Sequence, residues 1–406
     1  MYLTHLSLTN FRAFTRLDME VPRRTLMLVG DNAQGKTSIL EAIYYLATYT
    51  SFHARNDRQL INFLASREPL AVTRLVADYQ SSGAAGNKPH RLEIRLIQES
   101  SGNGGNRLRK EILLDGVKRT MHEAMGAFTA VIFLPQMTRI VEGGPEERRR
   151  YLNLSLAQTV PGYSQALSEY MQVLTQRNAL LKQLAERGGD PDQLVYWDTL
   201  LADRGARIIY ERIAAVQELE QLAARIHHQL TGSQEILRLV YQPAYDPVPQ
   251  PEGQYALPIQ APVNRSGFSQ ERIRQGFLQR LAEMRREEVA RGVTTIGPHR
   301  DEMRLLSNGI DLGDFGSRGQ VRTALLALKL AEVTWIKNRT GDWPVLLLDE
   351  ILAELDMQRR ADLQRYLLDY EQTMLTTTDL SLFESNFIEQ GSVWQVEQGF
   401  VRTPTS

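Results

Sequence analysis

The chain has 406 residues, 47 Lys and Arg against 48 Asp and Glu, and 42% hydrophobic side chains, which describes a folded protein of two or three domains and excludes disorder as its main state. It has no cysteine, so a disulfide framework, a thiolate nucleophile, Cys-ligated zinc and an iron–sulfur cluster are all excluded. The net charge of −1 excludes a uniformly basic coat and confines any nucleic-acid contact to local patches.

The N-terminal segment shows no secretory pattern. The apolar runs at Val131–Leu134 and Val345–Leu348 fall far short of the ~20 residues that cross a membrane, so a cytoplasmic protein without a membrane anchor is expected. Leu6 and Leu8, then Leu17, Met19 and Val21, alternate with polar neighbours and predict two strands joined by a turn. Thr25–Val29 predicts a short buried strand ending at Gly30, and Ile39, Leu40, Ile43, Tyr44 and Ala47 predict a helix over Thr37–Tyr49. Alternation returns at Val72–Tyr79, Arg91–Gln98 and Leu108–Asp115, with Ser81–Lys88 and Ser100–Asn106 read as hairpin loops.

From Glu146 the period becomes helical. One stripe carries Leu167, Tyr170, Met171, Leu174, Leu181 and Leu184, and a second runs from Trp197 to Ile226. The segment Gly188-Gly189-Asp190-Pro191 between them predicts a helical hairpin whose second arm reaches roughly 50 Å. Six of the sixteen prolines lie between Pro243 and Pro262, so 241–263 is read as an irregular connection. A further helix follows through Ile273, Phe277, Leu281 and Met284, and from Val293 a strand–helix–strand pattern resumes. The expected fold class is α/β, with a head formed by 1–145 and 293–406 around a helical insertion at 146–292.

Three segments carry chemistry. Gly30-Asp31-Asn32-Ala33-Gln34-Gly35-Lys36-Thr37, followed by Ser38, has the P-loop spacing: glycines let backbone N–H groups turn inward around phosphates, Lys36 supplies charge, and Thr37 offers a hydroxyl to Mg²⁺. Val345–Leu348 followed by Asp349 and Glu350 is an apolar strand ending in two carboxylates. Asp349 is then the second Mg²⁺ ligand, and Glu350, with Lys36, is the catalytic candidate. Ser317-Arg318-Gly319-Gln320 opens an apolar-striped helix, with Ser317 in the N-cap position; its open N–H groups suit a phosphate, although by itself the segment reads first as an ordinary capped core helix. The seven histidines form no metal-binding pair.

In this order the three segments resemble the ATP-binding-cassette ATPases of the SMC and RecF kind. Asn10–Phe14, Gly30–Glu41, Pro135 through Arg148-Arg149-Arg150, Thr295–Asp301, Ser317–Gln320 and Asp349–Asp356 narrow the resemblance to the RecF family over nearly the whole chain. The resemblance implies an ABC-type ATPase head, a mixed sheet with an antiparallel β subdomain, plus an inserted helical domain. It makes Arg12 a phosphate contact, Gln136 the Q-loop counterpart, Ser317–Gln320 the signature, Asp356 the D-loop acid and Thr376–Thr378 the switch strand. Three departures stand out: Gln136 where an acid is expected, Asn153 where Asp is usual, and Glu350 where a second Asp is commoner.

The resemblance further implies ATP and Mg²⁺ as cofactors, weak DNA-stimulated ATP hydrolysis and an ATP-driven homodimer. It implies binding to gapped, single-stranded and duplex DNA in recombinational repair and replication restart, with RecO and RecR as partners in loading RecA. The alternative is an SMC-like ATPase acting as a chromosome-structure switch, against which the short hairpin argues. Arg148–Arg150, Arg285–Arg286 and Lys337 with Arg339 are the candidate DNA contacts, and each also reads as a solvated helix face.

Overall fold

The computed structural model describes residues 1–83, 86–100, 106–248, 263–265 and 267–403. Most of the proline-dense connection, 249–262, lies outside the described residues, as does 101–105 of the second expected hairpin loop. In chain order the strands are β1 (Tyr2–Phe11), β2 (Phe14–Glu20), β3 (Arg24–Val29), β4 (Leu70–Gly83), β5 (Gly86–Ser100), β6 (Asn106–Leu114), β7 (Val117–Arg119), β8 (Ala130–Phe133), β9 (Leu237–Gln242), β10 (Glu302–Ser307), β11 (Ile310–Asp311), β12 (Val345–Asp349), β13 (Gln372–Thr377), β14 (Ser392–Glu397) and β15 (Phe400–Arg402). The chain forms two compact units, one of 1–137 with 329–406 and one of 138–328.

The first unit contains two sheets. One is antiparallel in the order β2-β1-β4-β5-β6-β7; the other, in the order β15-β14-β3-β13-β12-β8, is parallel apart from β15. The helix Lys36–Thr48 packs on strands of both sheets. This double coverage explains why Ala42, Tyr45 and Leu46 are buried beside the expected stripe, since a helix between two sheets has no solvent face. Of the loop expected at Ser81–Lys88 the described residues are strand, with β4 and β5 paired from Ser81 with Lys88 to Gly83 with Gly86; 84–85 lie outside the described residues.

The second unit is built on the helices Pro145–Thr159, Tyr163–Arg187, Leu194–Leu230 and Gln270–Arg291, with a small sheet β11-β10-β9. Gly188, at φ 71, ends the first hairpin arm, and 37 residues make the second, or roughly 55 Å. Met171, expected on the buried stripe, is exposed. The expected return to the head at 293 is displaced to Lys329, for two reasons. β10 pairs with β9 rather than with the head, and the turn before it is tied into the helices. Asp301 accepts hydrogen bonds from Arg212 and from the Tyr241 hydroxyl, both buried. Arg212 also donates to Asn153 Oδ1 at 2.9 Å, as does Tyr163. A neutral amide suffices at 153 because Asp301 already supplies the counter-charge.

In the same turn Tyr170 Oη lies 2.6 Å from His299 Nδ1, and His299 Nε2 faces Thr294 O at 3.3 Å. The ring is therefore neutral with its proton on Nε2, accepting from the tyrosine. Burial, reinforced by the charges of Arg300, Arg149 and Arg212, lowers the His299 pKa to about 4. The unfolded chain binds this proton near pH 6.5 and the folded chain does not, so the contribution is complete above pH 6.5 and declines as pH falls toward 4. Between pH 7 and 5 the loss is roughly 2 kcal/mol. Urea unfolding of the parent and of His299→Gln at both pH values is expected to show a smaller acid loss in the variant; equal losses would remove the assignment.

Candidate functional site

At the ends of the parallel strands, Val29 lies opposite Thr377, and Asp349 opposite Thr376, so the loops leaving β3 and β12 emerge at the same edge of the sheet. That edge is where open α/β sheets build their sites. The P-loop spans Gly30 to Lys36 between β3 and its helix. A Cβ at Gly30 would stand 2.2 Å from the carbonyl oxygen of Val396 in β14, and Gly35, at φ 108, sits against the Phe14 ring. Only glycine permits both the close approach and the left-handed turn. Gln34 anchors the other side of the loop: its Oε1 accepts from Gln398 N at 2.6 Å and its carbonyl from Gly399 N at 3.2 Å.

Lys36 Nζ points back across the loop to the carbonyls of Gly30 at 2.6 Å and Asp31 at 2.9 Å, and lies 3.4 Å from Glu350 Oε1. The ammonium is buried, whereas Glu350 keeps 39% of its side-chain exposure. Thr37 Oγ1 donates to Asp349 Oδ1 at 2.8 Å, which joins the two motifs directly. A hydroxyl and a carboxylate form the all-oxygen donor set that Mg²⁺ takes with water and phosphate, so the residues fit the cation. Asp31, Asn32 and Ala33 are exposed at the loop's rim, and Ser38 is half-buried.

A cavity of about 630 Å³ opens beside this point, lined by Thr37, Ser38, Glu41, Arg12, His53, Gln136, Asp349 and Glu350, among others. Gln136 therefore does reach the site, where its amide is 3.4 Å from His53 Nε2. Arg12 is held from behind: Nε and Nη2 donate to the two oxygens of the buried Glu41, at 2.8 and 2.6 Å, and Nη1 donates to Gln59 O. Ser51 also donates to Glu41. Glu41, Ser51, His53 and Gln59 were not among the expected residues. The available signal was a carboxylate inside an apolar helical run, which is buried only when paired.

In the second unit Ser317 and Gln320 cap the helix Arg318–Thr340 reciprocally. Gln320 N donates to Ser317 Oγ at 3.3 Å, and Ser317 N to Gln320 Oε1 at 3.1 Å, which is a capping box with Gln in the third position. Ser317, Arg318 and Gly319 are exposed, and nothing stands closer to a Cβ at Gly319 than 4.0 Å. In the first unit Asp356 caps the helix Met357–Leu368 and pairs with Arg359.

The basic clusters divide. Arg148 is buried, binds both oxygens of Glu302 at 2.6 Å and donates to the carbonyls of Val141 and Gly143. Arg149 donates to Asp301 O, and Arg285 pairs with Asp192 and Asp198. Lys337 lies over the Trp343 ring. Arg148 therefore serves the fold rather than a ligand, and of the expected clusters Arg150, Arg286 and Arg339 are exposed, Arg339 with its guanidinium over the Trp335 ring.

A P-loop joined to a carboxylate-ended strand, an antiparallel β subdomain on the same unit and a separate Ser-x-Gly-Gln helix define a nucleotide-binding head of the ABC type. Residues 2–400 match the RecF/RecN/SMC N-terminal domain family. The chain is 38% identical over 411 residues, 99% of each chain, to the DNA replication and repair protein RecF of Herpetosiphon aurantiacus. A solved structure of the recombination mediator protein RecF with ATP, in the RecFOR pathway, matches at a TM-score of 0.80 and 28% identity, covering 100% of this chain and 98% of that one. The Smc head domain of Pyrococcus furiosus, at 16% identity and a TM-score of 0.50, shares the fold. This chain belongs to the RecF family. No helix among the described residues is long and apolar enough to cross a membrane.

Arg148→Ala removes the partner of the half-buried Glu302 and the donor to two carbonyls, and is expected to destabilise the protein by about 1–3 kcal/mol while leaving the salt dependence of any DNA binding unchanged. Denaturant unfolding and a salt titration read the two effects separately; a flattened salt slope would return Arg148 to a DNA surface.

Proposed function

We propose that this chain binds and hydrolyses ATP with Mg²⁺ and uses the cycle to hold and release DNA in recombinational repair and replication restart. The observation that carries the reading is the 2.8 Å bond from Thr37 to Asp349, beside the buried Lys36 ammonium. Lys36 exchanges the carbonyls of Gly30 and Asp31 for phosphate oxygens, and the loop's N–H groups with the start of the helix Lys36–Thr48 favour the same anion. Thr37 and Asp349 would hold Mg²⁺, which when bound neutralises charge on the phosphate oxygens. As Lys36 turns to phosphate, Glu350 is released to take the proton of the attacking water at its carboxylate. Arg12, fixed by Glu41, keeps donors for the nucleotide, and Gln136 faces the same cavity.

The relatives' names support DNA as the partner, and the RecFOR pathway of the similar structure supports RecO and RecR; loading of RecA follows from the family resemblance. Weak, DNA-stimulated turnover in the cytoplasm fits such a switch. The chain has one P-loop and one Ser-x-Gly-Gln segment, and in ABC-type heads these meet across two copies. The exposed Ser317 of each copy would then contact the γ-phosphate held by Lys36 of the other, so ATP closes a dimer and hydrolysis opens it.

Lys36→Ala is expected to abolish ATP binding, and Glu350→Gln to bind ATP while lowering turnover at least about a hundredfold, in a steady-state assay with and without gapped DNA. Parental turnover in Glu350→Gln would exclude the base. Ser317→Arg is expected to retain ATP binding but sediment as a monomer where the parent dimerises with ATP. Dimers of both proteins, or a parental dimer with ADP alone, would overturn the sandwich. Gel shifts on gapped, single-stranded and duplex DNA test the remaining part; no bound form in ATP at low salt would refute it.

A further inference from the structure

The backbone turns sharply where β12 ends. Glu350 has φ 52 and ψ 24, in the left-handed region that costs a residue with a Cβ about 1 kcal/mol or more. The turn is held from the neighbouring strand. Thr376, 2% exposed and opposite Asp349 in the parallel register, accepts from Glu350 N at 3.1 Å and donates to Asp349 Oδ1 at 2.8 Å. A hydroxyl has a single proton, and here it goes to the carboxylate, leaving a lone pair for the backbone N–H. Thr37 donates to the same Oδ1, so two hydroxyls fix one oxygen of Asp349 and leave Oδ2 as its acceptor for a cation.

The strand itself does not require this bond. Thr373, three positions earlier in β13, is equally buried, and its hydroxyl has no hydrogen-bond partner among the described residues. A β-branched side chain satisfies the strand at either position; only at 376 does the oxygen engage the site.

We propose that Thr376 is a positioning residue that sets both carboxylates of the Asp349-Glu350 pair, orienting Asp349 toward the divalent cation and holding the strained turn from which Glu350 reaches Lys36. The proposal rests on the ATPase reading above. Thr376→Val keeps shape and branching and removes only the hydroxyl; Thr376→Ser keeps the hydroxyl. The valine variant is expected to lose at least about tenfold in kcat, the size of one oriented hydrogen bond, with KM for ATP in Mg²⁺ raised at least about fivefold as the cation is held less well. By equilibrium dialysis without turnover, its affinity for ATP in EDTA should match the parent's, while the gain on adding Mg²⁺ should fall at least about fivefold. The serine variant should restore both. If the valine variant fails to fold, Thr376→Ala compared with Thr376→Ser applies the same two readouts. Parental kcat and Mg²⁺ gain without the hydroxyl, or a serine variant as impaired as the valine one, would overturn the proposal alone. A parent that binds no ATP would overturn the ATPase reading and this proposal with it.

Discussion

Asp349 Oδ1 is the point on which the site depends. Hydroxyls from the P-loop helix and from β13 both end on it, so three stretches of chain far apart in sequence are fixed within one hydrogen-bond length of each other. The parallel register of β3, β13 and β12 delivers them there, and the burial of all four β12 residues before Asp349 leaves the strand no slack to shift. A slip of one residue would turn the carboxylate to the opposite face of the sheet.

A different economy governs the second unit. Its elements are joined through charge, fully buried in Arg212 to Asp301 and Arg177 to Asp198 and Glu288, and half-buried in Arg148 to Glu302. Such pairs add little net stability over apolar packing, but breaking one is costly, and their directional geometry accepts few alternative packings. The Thr295–Asp301 segment is the meeting place of these contacts: Glu288 accepts from Thr295 N, and Arg212 donates to the Asp301 carboxylate and the Pro298 carbonyl.

Much of this was legible in the sequence. The P-loop, the acid-ended strand and the Ser317 cap are short-range patterns whose chemistry is fixed by spacing, and each has the local geometry expected. The helical hairpin followed from its stripes and from the Gly-Gly-Asp-Pro break. What could not be read was pairing at a distance. The β9–β10 ladder, which moves the unit boundary to Lys329, joins strands about sixty residues apart. The Arg148 run looked like any basic helix start, because Glu302 lies far along the chain. Gln34 carries no mark of its bond to Gln398. Glu41 did leave a trace, a charge amid apolar neighbours, though nothing local identifies Arg12 as its partner.

β3 pairs on one side with β13 and on the other with β14, both more than 340 residues further along the sequence, and the P-loop that follows it rests on Val396 and Gln398. During synthesis, therefore, the strand made first in this sheet waits for partners made last. The nucleotide pocket lacks Asp349 and Glu350, and β3 lacks its flanking strands, until β12, β13 and β14 are made, whereas the helical unit in the middle of the chain has all its own strands and helices before β12 is made. Until then the apolar β3 is an unpaired strand with two open edges, the kind of segment that invites wrong pairing.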